Sequence, residues 1–469
     1  MNEKSGLQIG RQAFIQSLSI LAALMLMAGI LTLTVPAGHY VRIAQNGQEI
    51  VDPDSFVYIE RPHYPIWRWI IAPIEVLGSD NGLVIAIILV FLLIVGGAVA
   101  VLEQSGLLQA AVGYVVARFS TRRYVLLWVI TLLFMLIGAF LGIFEEIVPL
   151  VPLMVALAHL MGWDVFVGLG MSVLAANMGF SAAVMNPFSI GVAQKIAGLP
   201  LFSGAWLRIL FFIVIYLVLA LFLDRYARRV ASRTFQAGVD LEKLPPTDTP
   251  SRQAMIWLAV FMGLIALVLI GSPTIPPLSD LALPLVGLLF LLGAIGAGRL
   301  NGLRGRALWS ALGHGVGSIA PGIPLILMAA SIKHIVVQGG IMDTLLHAAA
   351  TTLANSNPFW AALLVYLLAL GIEFFISSAS AKAFLIMPIL LPLADLVGVT
   401  RQVTVTAYCL GDGFSNLAYP TNAVLLIVLG LTQISYTQWI KWTWKLWAVI
   451  GVLSVILLWI ASAIHYGPF

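Results

Sequence analysis

Two stretches of the chain set amides, hydroxyls and a proline in the middle of otherwise apolar runs: Asn177-Met178-Gly179-Phe180-Ser181-Ala182-Ala183-Val184-Met185-Asn186-Pro187-Phe188 and Gly411-Asp412-Gly413-Phe414-Ser415-Asn416-Leu417-Ala418-Tyr419-Pro420-Thr421-Asn422. Pro187 and Pro420 each remove a backbone donor where a helix should continue, so each run should unwind there. The freed backbone groups, with Asn177, Ser181, Asn186, Ser415, Asn416, Thr421 and Asn422 beside them, can coordinate a cation or the polar end of a substrate. The bland alternative is a proline kink satisfied by neighbouring helices, and it explains one break better than a matched pair.

Two further interruptions, Gly142-Ile143-Phe144-Glu145-Glu146 and Ser377-Ser378-Ala379-Ser380, fall halfway along the apolar regions 124–161 and 358–397. Each region reads as a re-entrant hairpin rather than two full spans. Non-helical backbone at membrane depth is tolerated only inside protein or beside a cavity, so the tips point at a site. Glu145 and Glu146 have two open readings: they cap the second limb and complement its dipole, or they bind a cation or carry a proton. Ser377, Ser378 and Ser380 can cap in the same way. Lys382 brings an ammonium that is costly at this depth unless paired, and Asp412 is equally expensive without a function or a partner such as Lys382. Glu373 is open between function and structure. Asp164 should be an N-cap, and Asp224, His159 and Asp395, near the interfaces, should snorkel.

The elements that must position these residues follow from composition. Of 469 residues 61% are hydrophobic and 9% charged, against roughly 25% charged in soluble chains, which makes this an all-α polytopic membrane protein. The net charge of +4 is too small to argue for nucleic acid. The single cysteine, Cys409, excludes an internal disulfide and Cys-rich metal chemistry. Spans of about 20 apolar residues fit at 13–36, 83–102, 164–195, 205–224, 253–271, 280–298, 317–336, 402–430 and 440–462. The first is too long for a signal-peptide core and reads as a retained helix. The polar stretch 38–65 and an interfacial amphipathic helix over Ile66 to Leu77 lie between the first two crossings. With the N-terminus cytoplasmic and the C-terminus external, only eight of the 24 lysines and arginines (Arg42, Arg61, Arg68, Lys195, Arg208, Lys333, Lys382, Arg401) fall outside the cytoplasmic side, as the positive-inside rule requires.

The halves resemble each other. Gln104-Ser105-Gly106-Leu107-Leu108 recurs as Gln338-Gly339-Gly340-Ile341-Met342, and Gly179-Phe180-Ser181 as Gly413-Phe414-Ser415, both 234 positions on. Trp206-Leu207-Arg208 recurs as Trp439-Ile440-Lys441. The chain divides into residues 1–82 (first helix, external loop, interfacial helix), a first repeat at 83–229, a cytoplasmic linker at 230–252, two linking helices at 253–316 and a second repeat at 317–469. Each repeat holds an odd number of crossings, so the copies should face opposite ways. Inverted repeats with helices broken at matching places are the signature of a secondary transporter, with its site at the repeat interface.

The hairpin with its Glu-Glu tip, Gly-Phe-Ser, Asn-Pro-Phe and Ala193-Gln194-Lys195-Ile196-Ala197-Gly198-Leu199-Pro200 in the first half, and Ser-Ser-Ala-Ser-Ala-Lys with Gly-Asp-Gly-Phe-Ser-Asn in the second, resemble the YfcC family. That family is related to the anaerobic C4-dicarboxylate carriers (DcuC-like) of the ion-transporter superfamily. The resemblance implies an elevator-type homodimer in the inner membrane, with a scaffold and a moving domain made of two hairpins and two unwound helices. It also implies a small-molecule substrate held at the tips and breaks: Glu145, Glu146, Asn177, Ser181, Asn186, Pro187, Ser377, Ser378, Ser380, Lys382, Asp412, Ser415, Asn416, Pro420, Thr421 and Asn422. No cofactor is expected; a proton or a sodium ion, the latter near the unwound helices, is the candidate coupling ion. Dicarboxylate-carrying relatives typically show Ser-Asn-Thr at both tips, whereas the first tip here is Glu145-Glu146, and YfcC relatives are often named as basic amino-acid antiporters.

Charge leans the same way. Glu145, Glu146 and Asp412 against Lys382 leave a formal −2, which suits a substrate carrying an ammonium; a dicarboxylate coupled to protons or sodium is the alternative. A channel lacks a filter-like run, an intramembrane protease lacks a base near Ser181, since His159 and His314 lie towards the cytoplasm, and a primary pump would need a nucleotide-binding loop that is absent.

Overall fold

The computed structural model describes residues 11–45, 48–52, 54–79, 82–108, 110, 113, 119, 122–236, 251–271, 276–354 and 356–467. Most of the expected linker, 237–250, and the basic residues Lys4, Arg118 and Lys243 lie outside these.

Helix α1 (Arg11–Thr34) leads into four short strands, β1 (Gly38–His39), β2 (Arg42–Gln45), β3 (Gln48–Val51) and β4 (Val57–Tyr58). They pair antiparallel, Gly38 with Tyr58 and Arg42 with Val51. Helix α2 (Trp67–Glu75) buries Trp69 and Ala72 and leaves Trp67 and Ile70 exposed, the two-faced pattern of an interfacial helix. Helix α3 (Gly82–Gln104) follows, about 34 Å long at 1.5 Å per residue.

The first hairpin rises as α4 (Arg123–Leu136), continues as a π-turn through Leu141, breaks at Gly142, and returns as a 3-10 turn (Glu145–Leu150) and α5 (Val151–Leu160). Its two ends stay together, because Arg123 Nη1 donates to Met161 O at 3.0 Å. The first broken helix runs through α6 (Val165–Leu169), a π-turn and α7 (Ala175–Ala182). It stops where Ala183 turns left-handed, and resumes after Asn186 as a π-turn and α8 (Val192–Ile196). Helix α9 (Ala205–Gln236) closes this half.

Helices α10 (Arg252–Gly271) and α11 (Pro276–Leu300) pack on each other, and α11 packs on α3. The expected span at 317–336 begins earlier: α12 (Arg306–Ile319) runs along α3, and α13 (Gly322–Gln338) continues it after a bend at Pro321, which cannot donate to the preceding turn. After α14 (Met342–Ala354) comes the second hairpin, α15 (Pro358–Glu373) and α16 (Ala379–Leu396), and then the second broken helix, α17 (Arg401–Phe414), a 3-10 turn and α18 (Ala423–Thr432). The chain finishes on α19 (Tyr436–Ala463), whose start is a capping box built by Ser435 and Gln438.

Nine helical segments among the described residues are long and apolar enough to cross a bilayer, as many as the sequence suggests, but two differ. The first limbs and returns matter here: 123–141 and 379–396 qualify, whereas the second broken helix is cut into pieces of 14 and 10 residues. An apolar window alone cannot separate a hairpin limb from a span.

Contacts decide what length cannot. Tyr226 Oη donates to Asp164 Oδ2 at 2.7 Å and the Arg228 guanidinium lies 4.0 Å over Tyr124, so the base of the first hairpin sits at the far end of α9. The base of the second sits at its near end, where Arg401 Nη1 donates to Ala197 O at 2.9 Å and Thr400 Oγ1 to Tyr466 O at 2.7 Å, while the Tyr466 hydroxyl donates to Gly204 O. Along α9, which begins at Ala205 beside Gly204, residues 205 and 226 are about 32 Å apart. The bases of the two hairpins therefore lie at opposite ends of α9.

Candidate functional site

The two tips meet between those ends. A cavity of about 220 Å³ is lined by Lys333, His334 and Gln338 of α13, by Glu373, Ser377 and Ser378 of the second tip, and by Thr421. An adjoining space of about 50 Å³ is lined by Glu145, Ser377 and Asn422; the two share Ile88, Ser377 and Ala423 as walls. The first tip, the second tip and the second break thus converge on one place, although 145 and 422 are far apart in the chain.

Each tip is shaped by local chemistry. Gly142 turns left-handed at φ 67°, a conformation that suits glycine and lets the chain reverse against Asn186. No side chain caps the 3-10 turn that follows; Glu145 and Glu146 stand in its first turn, where carboxylates complement the positive helix end. At the second tip Ser378 caps α16 by accepting from Ala381 N, as expected. Ser380 does something else: its hydroxyl donates to Phe188 O at 2.8 Å, tying the second hairpin to the first helix break.

The breaks are built alike. Asn186 accepts from Phe188 N and Ser189 N and so starts the helix that begins with Pro187, while Asn422 accepts from Leu425 N and starts α18. Asn422 Nδ2 donates to Asn416 Oδ1 at 3.2 Å. Ser181 and Ser415 spend their hydroxyls on carbonyls four residues back in their own helices, Asn177 O and Gly411 O. Pro420 is buried at the turn, and Thr421 is half-buried at the cavity wall. Asn177 is fully buried and neither end of its amide has a hydrogen-bond partner, a costly arrangement for a polar group.

Behind the second tip lies a buried charge cluster. Lys382 Nζ is 2.7 Å from Asp412 Oδ1 and also contacts Glu373 Oε2, with all three side chains essentially inaccessible. Lys382 and Asp412 therefore pair as the sequence suggests, and the open reading of Glu373 closes on membership of this cluster. Pairing is what makes such charges tolerable at depth.

Sequence reasoning missed the groups that hold the breaks open. Arg208, 1% exposed, donates from Nε and Nη2 to Val184 O at 3.4 and 3.3 Å, inside the first break. In the second half Trp439 Nε1 donates to Leu417 O at 2.7 Å and the Tyr436 hydroxyl to Ala418 O at 2.6 Å. Arg208 and Trp439 sit in the repeated Trp-Leu-Arg and Trp-Ile-Lys pieces, so the signal was present as a match without a role. Lys333 and His334, two basic residues inside an apolar run, were a second such signal. Asp164 does cap α6, accepting from Val167 N, and Asp224 and Asp395 pair with Arg228 and Arg401.

The sequence matches the C4-dicarboxylate anaerobic carrier (DcuC) family over residues 14–463. The chain belongs to the DcuC family. It is similar to an Escherichia coli (strain K12) protein carrying the provisional name basic amino acid antiporter YfcC, 28% identical over 95% of this chain and 96% of that protein. It also resembles an uncharacterized Haemophilus influenzae protein, 26% identical over 79% of this chain and 74% of the other. Among solved structures, the Alcanivorax borkumensis YdaH transporter aligns with 97% of this chain and all of its own at 18% identity and a TM-score of 0.43. Neisseria gonorrhoeae MtrF aligns over 94% of both chains at the same identity and score. As a DcuC-family member with nine bilayer-length apolar segments among its described residues, the chain is a multi-pass membrane transporter and not an enzyme.

Proposed function

We propose that this DcuC-family transporter is a secondary carrier of amino acids in the inner (plasma) membrane, exchanging a basic amino acid of the arginine or ornithine type. One observation carries the reading: the cavity at the second tip is lined by Lys333 and His334 of α13 and shares walls with a smaller space lined by Glu145 of the first tip, while the Glu373 carboxylate behind the tip is held by Lys382. Opposite charges facing two adjoining spaces suit a zwitterion with an extra ammonium, and helix ends near them can receive a carboxylate. The name of the Escherichia coli relative points the same way.

In this reading the two hairpins are re-entrant, because bases about 32 Å apart along α9 and tips that share a cavity leave neither hairpin room to cross. Their opposed entry supports inverted repeats. The helices then sort into a framework (α1–α3 and α10–α13) and a hairpin body (α4–α9 and α14–α19) that slides against it as an elevator, in a homodimer with its N-terminus cytoplasmic and its C-terminus external. Glu145, Ser377, Ser378, Thr421 and Asn422 contact substrate, Glu146, Asn177, Ser181, Asn186, Pro187, Ser380, Ser415, Asn416 and Pro420 shape the site, and Lys382 and Asp412 hold the second tip.

A second reading, a C4-dicarboxylate carrier coupled to protons or sodium, is favoured by the family's description and by Lys333 and His334, which suit carboxylates. Uptake of labelled arginine and labelled succinate into proteoliposomes, each with and without the same unlabelled compound inside, separates them. Arginine uptake that needs internal amino acid is the expected result. Succinate uptake driven by a proton or sodium gradient overturns it.

A further inference from the structure

We propose that the Lys382 ammonium is a built-in cation filling a monovalent-cation site at the second tip, so that a sodium ion has no place there and the carrier does not couple to sodium at this position. The inference rests on the chain being a carrier and not on which substrate it carries. Lys382 Nζ lies between Glu373 Oε2 and Asp412 Oδ1, the latter at 2.7 Å, and its backbone N–H donates to Ser378 O at 3.0 Å. The three side chains come from three separate segments: the last residue of α15, the first turn of α16 and the last turn of α17 before its break. One ammonium therefore ties both limbs of the hairpin tip to the broken helix.

What surrounds the ammonium is a cation's ligand set. Carboxylate oxygens are hard donors of the kind alkali and alkaline-earth ions prefer. Glu373 Oε1 and Asp412 Oδ2 are buried with no hydrogen-bond partner, so the carboxylates have acceptor capacity beyond the one ammonium. The neighbouring Tyr408 hydroxyl is spent on Ala379 O and the Cys409 thiol is buried in the core, leaving the two carboxylates as the charged oxygen donors facing Nζ. A tethered ammonium supplies the charge a free ion would, but it cannot leave. A cation that stays with the protein carries no gradient energy, which fits exchange better than sodium symport.

The test removes the tether and leaves the ligands. Lys382→Ala exposes two buried carboxylates that need a cation, and any ion bound only by the folded state raises its melting temperature. Thermal unfolding of the full-length protein, followed by thiol labelling of the buried Cys409, is compared in sodium chloride and choline chloride at equal ionic strength. Lys382→Ala should gain a saturable sodium-dependent rise in melting temperature that the wild type lacks and that Lys382→Ala/Asp412→Asn largely loses. A folded Lys382→Ala with the wild type's sodium response, or a double variant that keeps the gain, overturns the proposal. If Lys382→Ala aggregates in choline, purification is repeated in sodium and in methylammonium: monodisperse protein in either supports the site, and aggregation in all three overturns it. Since the readout is stability, failure here is separate from failure of the amino-acid reading, which the uptake assay tests.

Discussion

Gly179 is where the first hairpin and the first broken helix come closest, and replacing it tests the packing that sets the site. A Cβ built there meets Met135 O at 1.9 Å and Met135 C at 2.7 Å, backbone atoms that cannot rotate away. An ordinary carbon to oxygen contact is about 3.3 Å, so α7 must retreat from α4 by about 1.4 Å or distort. The partner surface is equally tight, since a Cβ on Gly138 would lie 2.0 Å from Ala176 O. Overpacking of this kind costs roughly 1–3 kcal/mol in a well-packed core, and more where backbone meets backbone. Gly179→Ala should therefore lower the melting temperature, read by thiol labelling of buried Cys409, and should reduce transport by displacing Asn186 and the break. Gly313→Ala is the control: its Cβ meets nothing within 4 Å on α12, and in a helix interior alanine should stabilise by up to about 1 kcal/mol. If Gly179→Ala melts and transports like the wild type, the two helices do not approach closely at Gly179 and their packing does not set the break.

Lys382→Ala in choline should lose roughly 3–5 kcal/mol, the usual penalty for stranding a buried partner, and should abolish uptake; wild-type transport by this variant would remove Lys382 from the site. Arg208→Ala withdraws the donors from Val184 O and Phe202 O, leaving buried carbonyls at about 1–3 kcal/mol, and transport should fall while expression persists; uptake rates against thermal stability check it. Asp343 holds the strands that follow α1 through Arg42 Nη2 at 2.9 Å and Tyr40 N at 3.0 Å, so Asp343→Ala should speed proteolysis within 36–66, and unchanged cleavage would show that the strands are held otherwise. Glu75 is pushed up by burial, but the hydrogen bond from Arg68 and then His334 hold its carboxyl below the usual range. A depressed carboxyl contributes stability above its unfolded value, roughly 4.3, and loses it as pH falls through the folded value. Thermal stability should therefore drop in that acid window for the wild type and less for Glu75→Gln.

Much of this architecture was written in short-range chemistry. Apolar length gave the helices, and Pro187, Pro420 and Gly142 gave the places where they stop, because a missing donor or a left-handed turn acts within a few residues. The Asn186 and Asn422 starts, the Ser378 cap and the Asp164 cap were legible for the same reason. Even the Lys382 and Asp412 pairing could be inferred, since two opposite charges in an apolar chain must answer each other.

Tertiary structure decided what the limbs 123–141 and 379–396, which have the apolar length of spans, are joined to, because only contacts such as Arg123 to Met161 and Arg401 to Ala197 fix where their ends lie. It decided that Glu373 completes the Lys382 cluster and that Arg208 and Trp439 hold the breaks, contacts that join segments distant in sequence. It also decided which glycines allow close approach: Gly413, the sequence match to Gly179, lies against Ser181, whereas Gly411 is the one set against a backbone carbonyl, Tyr366 O. A sequence match registers residue type and spacing, whereas a site depends on which backbones can approach, and that is set by every side chain between them.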